Sequence, residues 1–279
     1  MSSKLESPRS DLAEKEQDGI LLRHFEPQDE KAVKRLLAKG LYPLAHEMVR
    51  VSLRSFLFHT SVYSPSHPLY ILVIPIFAMV WALREFSHWD AWTLVLLVTF
   101  MLSVLYAGLY VQCYFLFRQY VQYSLRSDMS NIPSVYQQHG GCFLVAVEVS
   151  TNQVIGMVGG EFKPNETSDG DKGMDRRGGD DVVYELRRMS VDRRIQRRGL
   201  GRRLIRLLEQ TLLQAGMTKL ILTTSNLQYA GHALYDREGF QLQPKKHFPS
   251  ANKAFWLMNY EKEYDTDMNK NNARVNSTK

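Results

Sequence analysis

Apolar positions recur along this chain with changing periods, and the changes mark its elements. Residues Gly19 to Phe25 read as a short strand. From Asp29 to Leu41, the apolar residues Ala32, Val33, Leu36 and Leu37 fall three and four apart, which predicts an amphipathic helix. Periodicity then gives way to two charge-free runs, Pro68–Leu83 (16 residues) and Ala91–Phe117 (27 residues). At a rise of about 1.5 Å per residue the longer run reaches about 40 Å, more than a hydrocarbon core of about 30 Å. The shorter run spans only if it begins nearer Ser61, and Pro75 predicts a kink in it. A buried helix pair is the alternative, but a soluble domain rarely holds an uncharged helix of this length, so a membrane-embedded block is expected. Strands are predicted beyond it at Cys142–Val149 and Val154–Phe162, then a Gly- and Asp-rich loop over 163–181. That loop reads as a mobile insert, with a substrate lid as the alternative. A strand at Val182–Val191, a helix at Arg202–Ala215 and a strand at Lys219–Thr224 complete the pattern.

One turn in this pattern carries chemistry. Gln196-Arg197-Arg198-Gly199-Leu200-Gly201 lies between a strand and a helix start, where free backbone N–H groups and the helix dipole favour an anion. It lacks the Gly-x-x-x-x-Gly-Lys of a Walker loop and the Gly-x-Gly-x-x-Gly of a dinucleotide fingerprint. About 40 residues on stands Ala233-Leu234-Tyr235-Asp236-Arg237-Glu238-Gly239-Phe240. The Gln-x-x-Gly-x-Gly loop followed by Leu-Tyr-x-x-x-Gly-Phe resembles the two landmarks of the GNAT acetyltransferases. The resemblance implies an α+β fold, a mixed sheet flanked by helices, with acetyl-CoA as co-substrate and no metal. It further implies that Gln196, Arg197, Arg198, Gly199, Leu200, Gly201 and Arg202 hold the pyrophosphate. Where the superfamily often has Asn seven residues before the tyrosine, this chain has Gln228, a departure at a cofactor-binding position.

The resemblance also bears on topology. In that fold the Gly19–Phe25 strand joins the main sheet, so the hydrophobic block interrupts the catalytic domain and both flanks lie on one side of the bilayer. That demands an even number of crossings and predicts a transmembrane hairpin. The expected organisation is a tail at 1–18, the first strand and helix at 19–54, the hairpin at 55–117, the rest of the domain at 118–260 and a second tail at 261–279. Lys31, Lys34, Arg35, Lys39, Arg50 and Arg54 precede the block and Arg118 and Arg126 follow it, which places the catalytic domain in the cytosol. The sequons at Asn165 and Asn276 would be used only if that domain were lumenal. The first 19 residues are too polar for a signal peptide, and Cys113 and Cys142 suggest no disulfide framework.

A net charge of +6 raises the question of nucleic acid. Arg193, Arg194, Arg197, Arg198, Arg202 and Arg203 cluster at the loop, however, and the phosphates of coenzyme A account for them. No nucleic-acid motif or aromatic platform accompanies the basic stretch, so a nucleic-acid partner is not expected. Alternation along the Val182–Val191 strand puts Glu185, Arg187, Met189 and Val191 on one face and Tyr184, Leu186, Arg188 and Ser190 on the other. Glu185 stands where the family commonly has a carboxylate base; the alternative is an ion pair with Arg187. The resemblance assigns the backbone of Met189, Ser190 and Val191 to the pantetheine arm and thioester carbonyl. It makes Tyr235 the acid for the leaving thiolate, with aromatic packing as the alternative. Arg187 and Arg188 are candidates for a substrate carboxylate, since guanidinium forks suit that geometry.

Ser127-Asp128-Met129-Ser130-Asn131-Ile132, Gly141-Cys142-Phe143 and Val154-Ile155-Gly156-Met157-Val158-Gly159 narrow the match. They resemble the camello-like N-acetyltransferases of the endoplasmic reticulum and Golgi, which carry a similar hydrophobic insertion. Glu185-Leu186-x-Arg188-Met189-Ser190-Val191-Asp192 looks more like the related membrane-bound aspartate N-acetyltransferase. The implied partners are the lipid bilayer and an amine acceptor, either a small molecule (an amino acid or cysteine conjugate) or a lysine; the oligomeric state is left open. A non-catalytic acyl-CoA sensor is the rival reading. A lipid acyltransferase is set aside on the His-x-x-x-x-Asp motif that it requires.

Overall fold

The computed structural model describes residues 15–58, 81, 91–164, 182–244 and 256–264. The chain divides into two compact units, one built on a β-sheet and one on helices.

The sheet unit contains eight strands: β1 (Lys15–Gln17), β2 (Ile20–His24), β3 (Cys142–Glu148), β4 (Gln153–Lys163), β5 (Val183–Val191), β6 (Lys219–Ser225), β7 (Gln241–Leu242) and β8 (Leu257–Glu263). Their spatial order is β1-β2-β3-β4-β5-β6-β8-β7. All neighbours are antiparallel except β5 and β6, which are parallel and joined through helix α5 (Leu200–Gln214). Strand β3 shows why the sheet has helices on both faces. Its side chains are apolar and buried from Cys142 to Val147, with Leu144 and Ala146 in one core and Phe143, Val145 and Val147 in the other.

Helix α5 builds the first core. Leu204, Ile205, Leu208 and Leu212 recur on one stripe and are fully buried against Ile155, Val158, Tyr184, Leu220 and Leu222. Burying one such leucine contributes about 1.5–3 kcal/mol. Helix α1 (Glu30–Leu41) builds the second with Val33, Leu36 and Leu37, joined by Met129, Ile132 and Tyr136. Approach is close here. A Cβ on Gly159 would lie 2.6 Å from the Tyr136 ring, so β4 needs a glycine at that point. Tyr136 ends the short helix α4 (Ile132–Tyr136), whose first turn is capped by Asn131.

The helical unit holds α2 (Leu44–Phe58) and most of α3 (Ala91–Arg126). Within it Ala45 and Val49 are buried, and the Tyr42 and Tyr114 rings meet at 5.3 Å. The 36-residue α3 is uncharged from Ala91 to Phe117, and many of its large side chains are exposed, with Trp92, Leu96 and Phe100 76%, 70% and 66% exposed. It is long and apolar enough to cross a membrane. Its last turns, from Val121, belong to the sheet unit.

The expected mixed sheet flanked by helices is present, and a long apolar helix interrupts it. Several boundaries differ from expectation. Ordered pairing begins at Lys15, inside the expected tail, because a hairpin turn at Asp18-Gly19 folds β1 onto β2. At the other end Glu261–Glu263 pair with Lys219–Ile221 as part of β8. Helix α2 was not foreseen, and α3 runs nine residues past Phe117. The shorter apolar run apart from Trp81, the 165–181 part of the loop and both sequons lie outside the described residues.

Candidate active site

Two strands part to form the site. The parallel ladder between β5 and β6 runs from Val183↔Lys219 to Leu186↔Leu222, yet β5 continues to Val191 and β6 to Ser225. Beyond Leu186 neither strand pairs with the other, which is an opening in the ladder. On its other side β5 falls out of step with β4. Gly159 pairs with Arg187 and Met157 with Ser190, so one β4 residue, Val158, stands against two on β5. Arg188 is the cause, with φ at +55° in mid-strand.

This bulge corrects the expected alternation. Glu185 and Arg187 keep one face, but Met189 and Val191 turn to the opposite one and pack on the α5 core. Ser190 instead meets α1, with its Oγ 3.4 Å from the Leu36 carbonyl oxygen. An extra residue reverses every side chain after it.

The loop after β5 leads into α5. Asp192 caps the turn by accepting from the Arg194 N–H at 3.0 Å, and the Gln196 side chain donates to the Val191 carbonyl at 3.0 Å. Arg197 (φ +66°) and Gly199 (φ +79°) are left-handed, which turns the chain abruptly into the helix. The first helical bond is Arg203 N–H to Gly199 O at 3.1 Å, so the amides of Leu200, Gly201 and Arg202 precede it. Gly199 gives the helix no side-chain cap. Arg197 and Arg198 are exposed, and Arg198 borders an open depression with Arg203 and Ile195. Arg202 is partly committed, since Glu238 takes its Nε and also that of Arg206 at 3.0 Å. Three elements meet at Gly201. A Cβ there would lie 3.0 Å from Leu234 Cδ2 on α6 (Tyr229–Arg237) and 3.3 Å from Met189 Cε on β5.

Glu185 lies directly across from Glu161 on β4, and both are half-buried. Lys163 Nζ sits 3.0 Å from Glu185 and 3.4 Å from Glu161; Arg187 bonds Glu161 and stands 3.8 Å from Glu185. The carboxylate at 185 therefore has a closer cation than Arg187. Two acids and two bases alternate on this face, so neither carboxylate is uncompensated.

Tyr235 is 5% exposed and packs against Phe240 and Tyr260. Burial, and to a lesser degree the neighbouring Tyr260, raises its phenol above the ordinary tyrosine range, so it stays protonated at neutral pH. Its hydroxyl takes no hydrogen bond from a described residue. Gln228 is turned back on β6, where its Oε1 accepts from Thr224 Oγ1 at 3.0 Å.

Arg188 is not presented to a substrate. Its guanidinium is spent on Asp128, with Nε–Oδ2 at 2.7 Å and Nη2–Oδ1 at 2.6 Å, and each side chain is only 6% exposed. The Tyr136 hydroxyl donates to the same carboxylate. Burial alone would raise the Asp128 carboxyl, but the Arg188 and Tyr136 hydrogen bonds outweigh it and hold the group at about 2. A carboxyl lowered on folding contributes stability that is full above its unfolded value of about 3.9 and is lost as pH falls through its folded value. Stability measured by circular dichroism in urea should thus fall between about pH 4 and pH 2. In Asp128→Asn that fall should be shallower; an unchanged slope would remove Asp128 from the account.

Glu161, Lys163, Glu238, Asp128 and Tyr136 were not foreseen as parts of the site. Strand register would have paired Glu161 with Glu185, but no local signal links Asp128 to Arg188, 60 residues on. One exclusion also needs repair. His24 and Asp29 do have the His-x-x-x-x-Asp spacing, but the Asp29 carboxylate is occupied by both Nη atoms of Arg23 at 2.7 and 3.0 Å and by the Glu26 N–H at 3.0 Å. It braces the turn before α1 rather than activating a histidine.

The model of the acetyltransferase (GNAT) family matches residues 109–240. N-acetyltransferase family 8 member 3 of Rattus norvegicus is 30% identical over 221 residues, covering 79% of this chain and 83% of its own. N-acetylaspartate synthetase of Xenopus tropicalis is 28% identical over 238 residues, covering 84% and 74%. A crystal structure of an acetyltransferase of the GNAT family from Staphylococcus aureus Mu50 aligns over 88% of this chain and 99% of its own, with a TM-score of 0.45 and 11% identity.

Proposed function

The chain belongs to the N-acetyltransferase family 8 proteins, an acetyltransferase of GNAT type, and from that premise we propose that it moves acetyl from acetyl-CoA directly to a primary amine at a membrane. The observation that carries this reading is the convergence at Gly201. The anion-binding loop, the bulge of β5 and the helix bearing Tyr235 meet there within van der Waals reach.

The residues divide the work as follows. Amides of the Arg197–Arg202 turn take the pyrophosphate, with Arg197 and Arg198 adding charge and Gln196 bracing the loop from Val191. The backbone of Met189–Val191, with no β6 partner in the ladder, binds the pantetheine arm and polarises the thioester carbonyl. An acceptor amine arrives as ammonium and must lose a proton before it attacks. Glu185 takes that proton, directly or through a water, with Lys163 Nζ 3.0 Å from its carboxylate. The C–N bond forms, the C–S bond breaks, and the proton that the nitrogen sheds as the amide forms ends on the sulfur, which departs as a thiolate before it takes that proton. Tyr235 serves it best as a hydrogen-bond donor. A phenol raised by burial is a weaker acid than a thiol near 8.5, so it stabilises the thiolate without ceding its proton outright.

Arg187 and Lys163 border the same face as Glu185, which suits an amine carrying a carboxylate, such as an amino acid. The synthetase relative, named for N-acetylaspartate, supports that direction; a cysteine conjugate or a lysine is the other acceptor class. The outward apolar surface of α3 supports bilayer anchoring. The basic flanks of the apolar block favour a cytosolic catalytic domain, with the endoplasmic reticulum or Golgi as the membrane.

Full-length protein in detergent micelles, given labelled acetyl-CoA, decides the reading. The panel holds amino acids including aspartate, a cysteine conjugate, a lysine peptide and a polyamine. Label should pass to an amine with one coenzyme A released per amide formed. Measurable coenzyme A binding with no turnover on any of them would favour the sensor.

A further inference from the structure

A non-glycine residue with φ near +55° in the middle of a strand persists only if its surroundings hold it there. Arg188 is such a residue, and what holds it is visible. Its guanidinium forms two parallel bonds to the two oxygens of Asp128, out of water on both sides. Asp128 in turn receives the Tyr136 hydroxyl and the Ser127 hydroxyl, the latter at 3.0 Å. Asp128 stands two residues beyond the end of α3, in a turn closed by Met129 N–H to Ser124 O at 3.1 Å. The pair therefore ties that turn to the bulge. The bulge is what sends Met189 toward Gly201, turns Val191 onto the α5 core and lets Ser190 reach α1, where a Cβ on Gly40 would lie 2.9 Å from its Oγ.

We propose that Asp128 is a positioning residue for the acyl donor, clamping Arg188 so that the bulge aims the Met189–Val191 backbone at the opening between β5 and β6. The role rests on the acetyl-CoA reading of that opening. It predicts a division that simple loss of packing would not produce, because flattening the bulge moves donor-binding amides but leaves Glu185 and Lys163, on the regular part of β5 and on β4, in register.

The test uses coenzyme A binding by calorimetry and steady-state kinetics on the full chain. Asp128→Ala should weaken coenzyme A binding and raise the acetyl-CoA KM about tenfold, with the acceptor KM within about twofold. Two double variants then separate backbone from charge. Asp128→Ala with Arg188→Gly buries no charge and accepts a positive φ freely; it should restore binding to near the wild-type value. Asp128→Ala with Arg188→Ala buries no charge either but resists that φ, and it should remain about fivefold or more weaker. If Asp128→Ala does not fold, the two double variants decide alone. Equal coenzyme A affinity in the Gly and Ala variants, or equal shifts in both KM values, would overturn the proposal. Wild-type protein that binds no coenzyme A would instead overturn the donor reading beneath it.

Discussion

Glu185→Gln lowers kcat by about 10²–10⁴, the range that a positioned general base supplies, while the acetyl-CoA KM stays within about twofold. The glutamine keeps the size of the side chain and can still face Lys163, 3.0 Å away in the parent, so folding is retained. What disappears is the acceptor for the ammonium proton. Steady-state kinetics reads kcat and the acetyl-CoA KM together. A kcat within about threefold of wild type would reduce Glu185 to a partner of Lys163 and Arg187, and attention would move to Glu161 across the strand pair.

The second large effect concerns the donor. Gly201→Val raises the acetyl-CoA KM about tenfold or more, because the first added carbon already lies 3.0 Å from Leu234 and 3.3 Å from Met189. Leu234 precedes Tyr235 and Met189 follows the bulge, so room for the new side chain is made only by moving two walls of the site. Overpacking of this kind costs about 1–3 kcal/mol, and here the cost falls on donor binding. Isothermal titration with coenzyme A, alongside thermal unfolding, checks it. Unchanged affinity with a lowered Tm would show that the strain is absorbed by the fold and that Gly201 is a packing glycine only.

Much of the site was legible in the sequence because its signals are local. The Gln196–Gly201 turn occupies six consecutive residues between a strand and an amphipathic helix, and Tyr235 lies on a helix with its own short string. Both stand where the pattern placed them. What escaped was what depends on pairing. Strand β8, Leu-Met-Asn-Tyr-Glu-Lys-Glu, is polar at four of its seven positions if its tyrosine is counted apolar, and only its ladder to β6 makes it a strand. Reversal of Met189 and Val191 came from one left-handed residue, which no hydrophobic period encodes. Arg188 looked like a free fork for substrate because its partner lies 60 residues upstream, in a turn with no local signal of the contact. Glu161 is recognisable only once the β4–β5 register is known.

The interrupted sheet also sets an order of assembly. Strand β2 is synthesised early, but it pairs with β3, about 120 residues further along the chain. At a ribosomal rate of about 5–20 residues per second, β2 waits roughly 6–25 seconds for its partner. During that interval the apolar segment emerges and, on the bilayer reading, must be delivered to lipid before the sheet can close around it. Insertion machinery thus acts before the enzyme has a core. A defect in α3 would first appear as lost protein in the cell, well before any change in the chemistry of the molecules that survive.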